Sequence, residues 1–530
     1  REMHRIGEQV LTQLARDPEQ IGVVLFGRSY NAFADEAHMG IPHKFASRGV
    51  HILPVDFLPL TTGKAKRHMY WGQGQLILKQ SRFVAGHQQL FGAFITNFSC
   101  GPDSFILGYF RDIMGAKPSL TLELDSHTAD AGLETRIEAF LDIAAAYRKL
   151  RTTRRPVVDK PAFTPARTLL EGEFPQVITS SGETLAMTDP RVTVLFPSMG
   201  PIATELVAAV FQGKGYHARA YPPAGEAELK TGRANTSCKE CLPLILTTGT
   251  LLNYIQHEKK DDEVLIYFMA SGSGPCRFGQ YGIFMEDLIR RMEIPDVALL
   301  SLSSENAYAG LDSGFQRRGW WAVLVSDVLE DIRSMLLTNA TDTDAAIGIF
   351  DEELARIHNE LKQGDFEKLE RQLLRTAERL AGVPLKAPPD SVPTIFLAGE
   401  IFVRRDPLSR QYLTEWLAHR GFAVVCSPVA EWMLYTDFLV QSGRADNNPT
   451  FADKIRSMIK NRFKTRYERR IKSALSKSGL VHAEQIDMNA IIQSGSHHLS
   501  PNLGGEAILT IGSSLTEVVS HACGVIAIGP

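Results

Sequence analysis

Four cysteines of this chain lie where an open α/β sheet presents its ligands. Cys100 follows the apolar run 94–98, and Cys276 follows the run 264–269 after a Gly/Pro-rich turn. Cys238 and Cys241 form a C-x-x-C pair within NTSCKECLP, and Leu242 and Pro243 then begin a predicted helix. Parallel sheets bind ligands at the carboxyl ends of their strands, and a helix start lowers the pKa of a nearby thiol. The four thiols are therefore candidate ligand or redox groups.

These thiols are compatible with several kinds of site. Structural zinc normally takes four Cys or His ligands at close spacing, and no second pair lies near Cys238 and Cys241. A thioredoxin-like pair fits poorly with the Lys-Glu interior and with the third thiol of Cys276. Iron–sulfur clusters take thiolates from scattered loops, and three cysteines leave a fourth iron open for a substrate or a second cluster. We therefore favour an iron–sulfur site, with zinc, a redox pair and cysteines in core turns as alternatives.

Composition limits the class of protein. The chain has 530 residues, which suggests about three domains. Its 57 Lys and Arg residues nearly balance 60 Asp and Glu residues, so the net charge gives no indication of nucleic-acid binding. No apolar run approaches the roughly 20 residues that span a membrane, and six cysteines in this length make no disulfide framework. We expect a cytoplasmic protein and, from the start at Arg1 and the end in an apolar run, a fragment of a longer polypeptide.

The fold class follows from the alternation of short apolar runs with amphipathic stretches. This alternation predicts an α/β protein with doubly wound parallel sheets. One predicted helix begins at Thr135, with Glu138 at capping-box spacing. The predicted domains are an α/β domain at 1–150, a linker at 151–190, a second α/β domain at 191–303, a helical region at 304–390 and a third α/β domain at 391–530.

The first and third α/β domains are predicted to be copies. Gly27 and Gly399 each end an apolar strand, at an offset of 372, and a second match relates 91–98 to 523–530 at an offset of 432. This alignment places a counterpart of Cys100 just beyond residue 530. It also predicts that Cys426 and Cys523 are buried core thiols, because a cysteine without a ligand packs as a small hydrophobe.

A basic stretch at 454–477 contains ten Lys and Arg residues and one acid, Glu468. We interpret it as a basic helical insertion with a solvated face. Contact with CoA phosphates or with the acidic surface of a partner is the alternative.

Several motifs resemble a known family. They are GRANTSCKECLPLILTTG, GSGPCRFGQYG, the segment from NFSCGPDSF to ETRIEAF, and GEAILTIGSSLTEVVSHACGVIAIGP. They resemble the 2-hydroxyacyl-CoA dehydratase (benzoyl-CoA reductase-like) superfamily and, more closely, the large activase-related fusion proteins called CoA-substrate-specific enzyme activases. Residues 1–150 look like the C-terminal half of one dehydratase-like module, and 190–530 look like most of a second.

The resemblance implies repeated Rossmann-like or flavodoxin-like parallel-sheet domains with helical insertions. Each module of the family holds an iron–sulfur cluster, of the 4Fe–4S type or as a double cubane, through three cysteines. Carried over to this chain, Cys241 and Cys276 are ligands in the second module, and Cys238 is an alternative ligand or a spare thiol. Cys100 is a ligand in the first module, and the 391–530 domain is truncated before its equivalent cysteine.

The function that the resemblance implies is ATP-driven, low-potential electron transfer within an iron–sulfur acyl-CoA dehydratase or reductase-type enzyme. The resemblance also implies that ATP enters only through a fused or partner ATPase, the activase. The chain itself has no G-x-x-x-x-G-K-[ST] motif, which excludes a P-loop. The implied partners are this activase and an acyl-CoA substrate, in a dimeric assembly without membrane or nucleic acid. The alternative is a non-catalytic electron relay or scaffold module, or a zinc-binding structural module.

Overall fold

The chain folds into two compact units. The first comprises Arg1–Phe163, Thr236–Cys241 and Arg277–Phe284, and the second comprises Thr164–Asn235, Leu242–Cys276 and Met285–Pro530. The computed structural model describes residues 1–59, 66, 69–97, 101–151, 163–170, 175–272, 276–302, 312–444, 450–482, 484–520 and 522–529. None of the helices described there has both the length and the apolar character needed to cross a bilayer.

The first 163 residues form a parallel sheet flanked by helices. In chain order the elements are α1 (Glu2–Arg16), β1 (Gly22–Phe26), α2 (Ser29–Ala32), α3 (Ile41–Ala46), β2 (His51–Pro54), α4 (Gly72–Gly86), β3 (Leu90–Thr96), α5 (Asp103–Met114), β4 (Ser119–Glu123) and α6 (Asp130–Arg151). The strands lie in the order β2-β1-β3-β4. Every residue of β1 and β3 is buried, as expected for central strands that helices cover on both faces.

The remaining elements are given in chain order. They are β5 (Arg167–Leu169), β6 (Gln176–Ile178), β7 (Thr184–Ala186), β8 (Val192–Phe196), α7 (Pro201–Gln212), β9 (His217–Ala220), α8 (Glu226–Ala234), α9 (Leu242–His257), β10 (Val264–Phe268), α10 (Tyr281–Arg291), β11 (Val297–Leu300), α11 (Ser313–Asn339), α12 (Thr343–Gln363), α13 (Phe366–Ala381), β12 (Thr394–Gly399), α14 (Leu413–Ala418), β13 (Ala423–Cys426), α15 (Val429–Gln441), α16 (Phe451–Leu475), α17 (Met488–Ser496), α18 (Ala507–Ser520) and β14 (Gly524–Ile528).

Two further parallel sheets have the orders β11-β10-β8-β9 and β13-β12-β14. In all three parallel sheets the first strand lies between the second and the third. The second strand is thus added on one side of the first strand and the third strand on the other, which makes the first strand the switch point of the topology. These repeated parallel sheets confirm the predicted α/β class with Rossmann-like or flavodoxin-like domains. The stretch 151–190, whose composition predicts a linker, also contains the small antiparallel sheet β5-β6-β7, because Val177 and Leu185 are buried in the core of the second unit.

The offset of 372 predicted for the internal repeat is confirmed residue by residue. Adding 372 to β1, α3 and β2 gives residues 394–398 of β12, all of α14 and all of β13. Gly27 and Gly399 both have positive φ, and a Cβ at either one would lie 2.4 Å from the carbonyl oxygen of Ile95 or 1.9 Å from that of Ile528. Only glycine fits where the chain leaves the strand this close to its neighbour.

The structure corrects the second offset. Val23 pairs with Phe91, and the equivalent Ile395 pairs with Gly524, which makes the offset 433 and not 432. The apolar runs match almost equally well in both alignments, so hydrogen-bonded register decides between them.

Two other predictions were wrong in detail. Cys426 is buried as predicted, but Cys523 is exposed because it precedes β14, which lies at the end of its three-stranded sheet. The helix predicted from Thr135 begins at Asp130, and the Thr135 hydroxyl donates to the carbonyl oxygen of Ala131 within the helix. Thr135 is therefore an interior residue of α6 and not its N-cap.

Candidate functional site

The candidate site lies in the first unit, at the carboxyl edge of its sheet. Two short segments from later in the chain, Thr236–Cys241 and Arg277–Phe284, belong to this unit together with residues 1–163. The first segment contains Cys238 and Cys241. The second begins at Arg277, which a peptide bond joins to Cys276. Folding therefore combines three stretches that sequence analysis associates with candidate ligands.

The segment Arg277–Phe284 packs along α5. The Arg277 guanidinium donates to the Ser104 hydroxyl in the first turn of α5, at 3.3 Å. One helical turn further on, the buried Tyr109 hydroxyl donates to the Gln280 side chain, also at 3.3 Å. Phe105, between these two positions, stacks on the ring of Tyr281. Polar and aromatic contacts thus hold the residue after Cys276 against the start of α5.

The segment Thr236–Cys241 reaches the end of β4. The Lys239 ammonium lies 3.2 Å from the carboxylate of Glu123, the last residue of that strand. Within the segment, the Glu240 carboxylate accepts hydrogen bonds from the backbone N–H groups of Ser237 and Lys239, at 3.1 and 3.2 Å. Cys238 has a left-handed backbone with φ of 60°. The carboxylate therefore fixes a tight turn that presents the two thiols.

The two thiols of this segment differ in exposure. Cys238 is exposed, whereas Cys241 is buried and directly precedes the first residue of α9, Leu242. A thiol at a helix start is stabilised as thiolate by the N–H groups and the dipole of that helix. Cys241 thus has the better local setting for a ligand role, and Cys238 the better access to solvent.

Arg28 and Asp103 form an ion pair at the start of α5. Asp103 is fully buried, accepts a hydrogen bond of 2.7 Å from the Thr96 hydroxyl, and lies 3.1 Å from Nε of Arg28. Burial raises the pKa of Asp103, and the Thr96 hydrogen bond and the Arg28 charge oppose this rise. Gly101 has a left-handed backbone, and a Cβ there would lie 3.5 Å from Arg28 Nη1. Arg28 therefore lies against the residue that follows Cys100.

The predicted ligands have different outcomes. Cys100 lies outside the described residues, although its neighbour Gly101 is described. Cys238 and Cys241 belong to the first unit. Cys276 is exposed and belongs to the second unit, directly before Arg277 of the first. Within the described part of the chain, no group of three His, Cys, Asp or Glu side chains is arranged to hold a metal ion.

Sequence analysis did not identify Arg28, Asp103 or Arg277 as site residues. Arg28 could have been found from its position directly after the strand-ending Gly27, and Arg277 from its position next to Cys276. Asp103 carries no comparable local signal, because many helices begin with aspartate.

A second group of ionisable side chains lies at the carboxyl edge of the β13-β12-β14 sheet. Glu400 directly follows β12, and its carboxylate accepts the N–H of Val403 at 2.7 Å. Glu431 accepts from the hydroxyls of Ser427 and Ser513. Burial raises the pKa of both acids. Burial, followed by the charge of Glu400, raises the pKa of Glu506 to about 7.

Comparison with known proteins identifies one related domain. Residues 1–58 match the model of the CoA enzyme activase uncharacterised domain (DUF2229). No curated protein and no solved structure matches the chain. The matched residues run from α1 through β2 and include Arg28. This part of the chain is therefore similar to an activase-related domain, which links the chain to CoA enzyme activase systems.

Proposed function

We propose that this chain is an iron–sulfur component of an ATP-driven, low-potential electron-transfer system related to CoA enzyme activases. One observation carries the proposal: Thr236–Cys241 and Arg277–Phe284 fold with residues 1–163, at the start of α5 and the end of β4. The activase-related match at residues 1–58 supports the same class of system.

The residues proposed to hold the cluster are Cys100, Cys241 and Cys276, with Cys238 as an alternative ligand. The sequence resemblance assigns Cys100 to one module and the other two to a second. The packing of Arg277 on Ser104 supports a shared site, because Ser104 is four residues after Cys100 and Arg277 is one residue after Cys276. Three cysteines from separate loops are a donor set suited to a 4Fe–4S cluster, which when bound supplies one-electron transfer at low potential.

The protein's own side chains have a supporting role in this proposal. The start of α9 favours the thiolate of Cys241, and the turn fixed by Glu240 orients it. Arg28 and Arg277 add positive charge beside Gly101 and Ser104, which follow Cys100 in the chain, and this charge favours an anionic set of thiolates. ATP hydrolysis is assigned to a fused or partner ATPase, and an acyl-CoA thioester is the proposed electron acceptor.

The test is anaerobic quantification of iron and sulfide, with electron paramagnetic resonance of the reduced protein. We expect about four iron atoms per chain, lost on Cys100→Ser, Cys241→Ser or Cys276→Ser. Cys426→Ser and Cys523→Ser are matched controls, since Cys426 is buried in the second unit and Cys523 is exposed but lies near the Thr394 carbonyl oxygen. Zinc in place of iron, or iron retained in all three variants, contradicts the proposal.

A spectral change on addition of an acyl-CoA thioester separates two roles of such a cluster. A cluster with an open iron position changes its spectrum when the thioester binds. A fully ligated relay cluster does not, and that result assigns the chain to electron relay.

A further inference from the structure

The basic helix α16 belongs to an insertion that has no equivalent in the first copy of the repeat. In the first unit, the described residues between β2 and β3 contain α4, whereas those between β13 and β14 contain α15, α16, α17 and α18. One side of α16 packs on α11, α13 and α15 of the second unit. The side that faces away from these helices is therefore a feature of the second unit alone.

The basic residues of α16 divide between these two sides. Lys464 and Arg470 are turned toward neighbouring helices. The Lys464 ammonium lies 2.6 Å from the Asp437 carboxylate of α15, and the Arg470 guanidinium lies 2.9 Å from the Glu367 carboxylate of α13. Both ion pairs attach α16 to the rest of the second unit, so these two cations contribute to its packing.

The outer side of α16 carries five exposed residues in one line. From the start of the helix they are Ile455, Met458, Arg462, Arg466 and Arg469, and Met458 is 61% exposed. Their spacings of three, four, four and three residues place all five on one face of the helix. Among the residues that the structure describes, no carboxylate lies within 4.0 Å of the three guanidinium groups. We call these five residues the α16 face.

The α16 face is unfavourable when it is exposed to water. Arg462 and Arg466 are four residues apart and Arg466 and Arg469 are three apart, so like charges repel each other across each helical turn. Ile455 and Met458 add apolar surface that remains hydrated. A partner that supplies negative charge and apolar side chains removes both unfavourable contributions.

The arrangement of the α16 face favours a polypeptide over other polyanions. The chain has 57 basic and 60 acidic residues, so it lacks the overall positive charge typical of nucleic-acid-binding proteins. A helix that lies on a bilayer carries apolar residues along its whole length, whereas here they occupy one end and the arginines the other. The arginines are about 6 and about 4.5 Å apart along the axis, and carboxylates four and three residues apart on a second helix reproduce this spacing.

We propose that the α16 face binds an acidic amphipathic helix of a partner polypeptide. Two apolar residues of that helix cover Ile455 and Met458, and three carboxylates pair with Arg462, Arg466 and Arg469. The partner helix runs parallel to α16, since only then do its apolar end and its acidic end meet their counterparts. Apolar contact provides affinity, and the charges select the partner and its direction. The inference is independent of the proposed cluster.

The experiment uses a labelled helical peptide as the probe. Its alanine-rich sequence carries Leu, Leu, Glu, Glu and Glu at the spacings of the α16 face, and a second peptide has Gln in place of each Glu. Each peptide is titrated with the full 530-residue chain while fluorescence anisotropy is recorded. We expect saturable one-to-one binding of the Glu peptide that weakens as salt is added, and a Kd about tenfold higher for the Gln peptide.

Variants of the chain assign this binding to the α16 face. Arg466→Ala and Met458→Ala should each raise the Kd of the Glu peptide about fivefold. Arg375→Ala is the matched control and should leave Kd unchanged, because Arg375 is exposed on α13 of the same unit and lies outside the α16 face. The triple variant Arg462→Glu, Arg466→Glu, Arg469→Glu should lose the Glu peptide and bind a peptide that has Lys in place of each Glu.

Thermal unfolding separates this role from a structural one. Removal of one arginine relieves repulsion within the α16 face, so Arg466→Ala should not lower the unfolding midpoint of the free chain. A lower midpoint for Arg466→Ala than for Arg375→Ala means that Arg466 stabilises the fold, and this result contradicts the proposal.

Three binding results also overturn the proposal. The first is absence of saturable binding of the Glu peptide, or equal Kd values for the Glu and Gln peptides. The second is tighter binding, weakened by Arg466→Ala, of a single-stranded thymidine oligonucleotide or of vesicles that contain phosphatidylserine, which assigns the α16 face to nucleic acid or to a membrane. The third is a dimer of the chain that dissociates on Arg466→Ala, which makes a second copy the occupant.

Discussion

The Arg277 guanidinium donates a hydrogen bond to the Ser104 hydroxyl, and these residues are 173 positions apart in the chain. The contact joins the residue after Cys276 to the helix that starts just after Cys100. It connects the neighbours of two cysteines that the family resemblance assigns to different modules. The first prediction below tests this contact, and the other two test the β13-β12-β14 sheet.

Arg277→Ala should weaken the attachment of the 277–284 segment to α5. The lost hydrogen bond corresponds to about 1 kcal/mol of unfolding free energy, and we expect faster loss of iron to a chelator from the anaerobic protein. Arg290→Ala is the matched control, because Arg290 is thirteen residues further along the chain, is 55% exposed at its side chain and forms a local ion pair with Asp287. Equal chelation rates in the two variants contradict this role of Arg277.

Gly399→Ala should destabilise the second unit by more than about 2 kcal/mol. The new Cβ would lie 1.9 Å from the Ile528 carbonyl oxygen, in a backbone conformation with φ of 111° that alanine rarely adopts. Denaturant unfolding measures the effect. Gly108→Ala, in the interior of α5 with no atom within 4 Å of the new Cβ, should instead stabilise the chain by about 0.5–1 kcal/mol.

Glu506→Gln should change how stability depends on pH. The pKa of Glu506 is raised to about 7 in the fold, so the folded state holds this proton more tightly than the unfolded state does. Stability therefore falls as pH rises from the ordinary glutamate pKa of 4.5 to about 7, and the loss is complete above that value. Gln cannot ionise and removes this loss.

The measurement for Glu506→Gln is the unfolding midpoint between pH 4 and pH 8. We expect the variant to unfold about 2 °C above the natural chain at pH 8 and at the same temperature at pH 4. The charges of Glu400, Glu431 and Arg404 also act on the Glu506 carboxyl. The control is Glu484→Gln, which removes an exposed acid elsewhere in the unit and leaves these three charges in place. A constant difference across the range contradicts the titration of Glu506.

Much of the fold was predictable because its signals are local. The strand before Gly27 and the strand before Gly399 each combine an apolar run with a glycine that no other residue can replace. The offset of 372 followed from these signals, whereas the register of β14 did not. A one-residue slip changes the apolar pattern of GVIAI very little, and only the pairing of Ile395 with Gly524 decides it.

The candidate thiols could be selected from the sequence, but the residues around them could not. Residue types and turn positions singled out Cys238, Cys241 and Cys276 without any structure. Arg28 and Asp103 gain their importance from the contact between the end of β1 and the start of α5, which no local pattern records. The exposure of Cys523 was missed for a related reason, since an apolar setting in sequence does not reveal an edge strand.

The sequence by itself determined the α/β class, the internal repeat and the choice of four cysteines as candidate ligands, because each depends on residue types and short spacings. Tertiary structure decided that Thr236–Cys241 and Arg277–Phe284 join residues 1–163. Contacts such as Tyr109 with Gln280 connect positions 171 residues apart. Such pairs form only when whole helices and strands pack, and the free energy that selects them is summed over the interface and not held by any single motif.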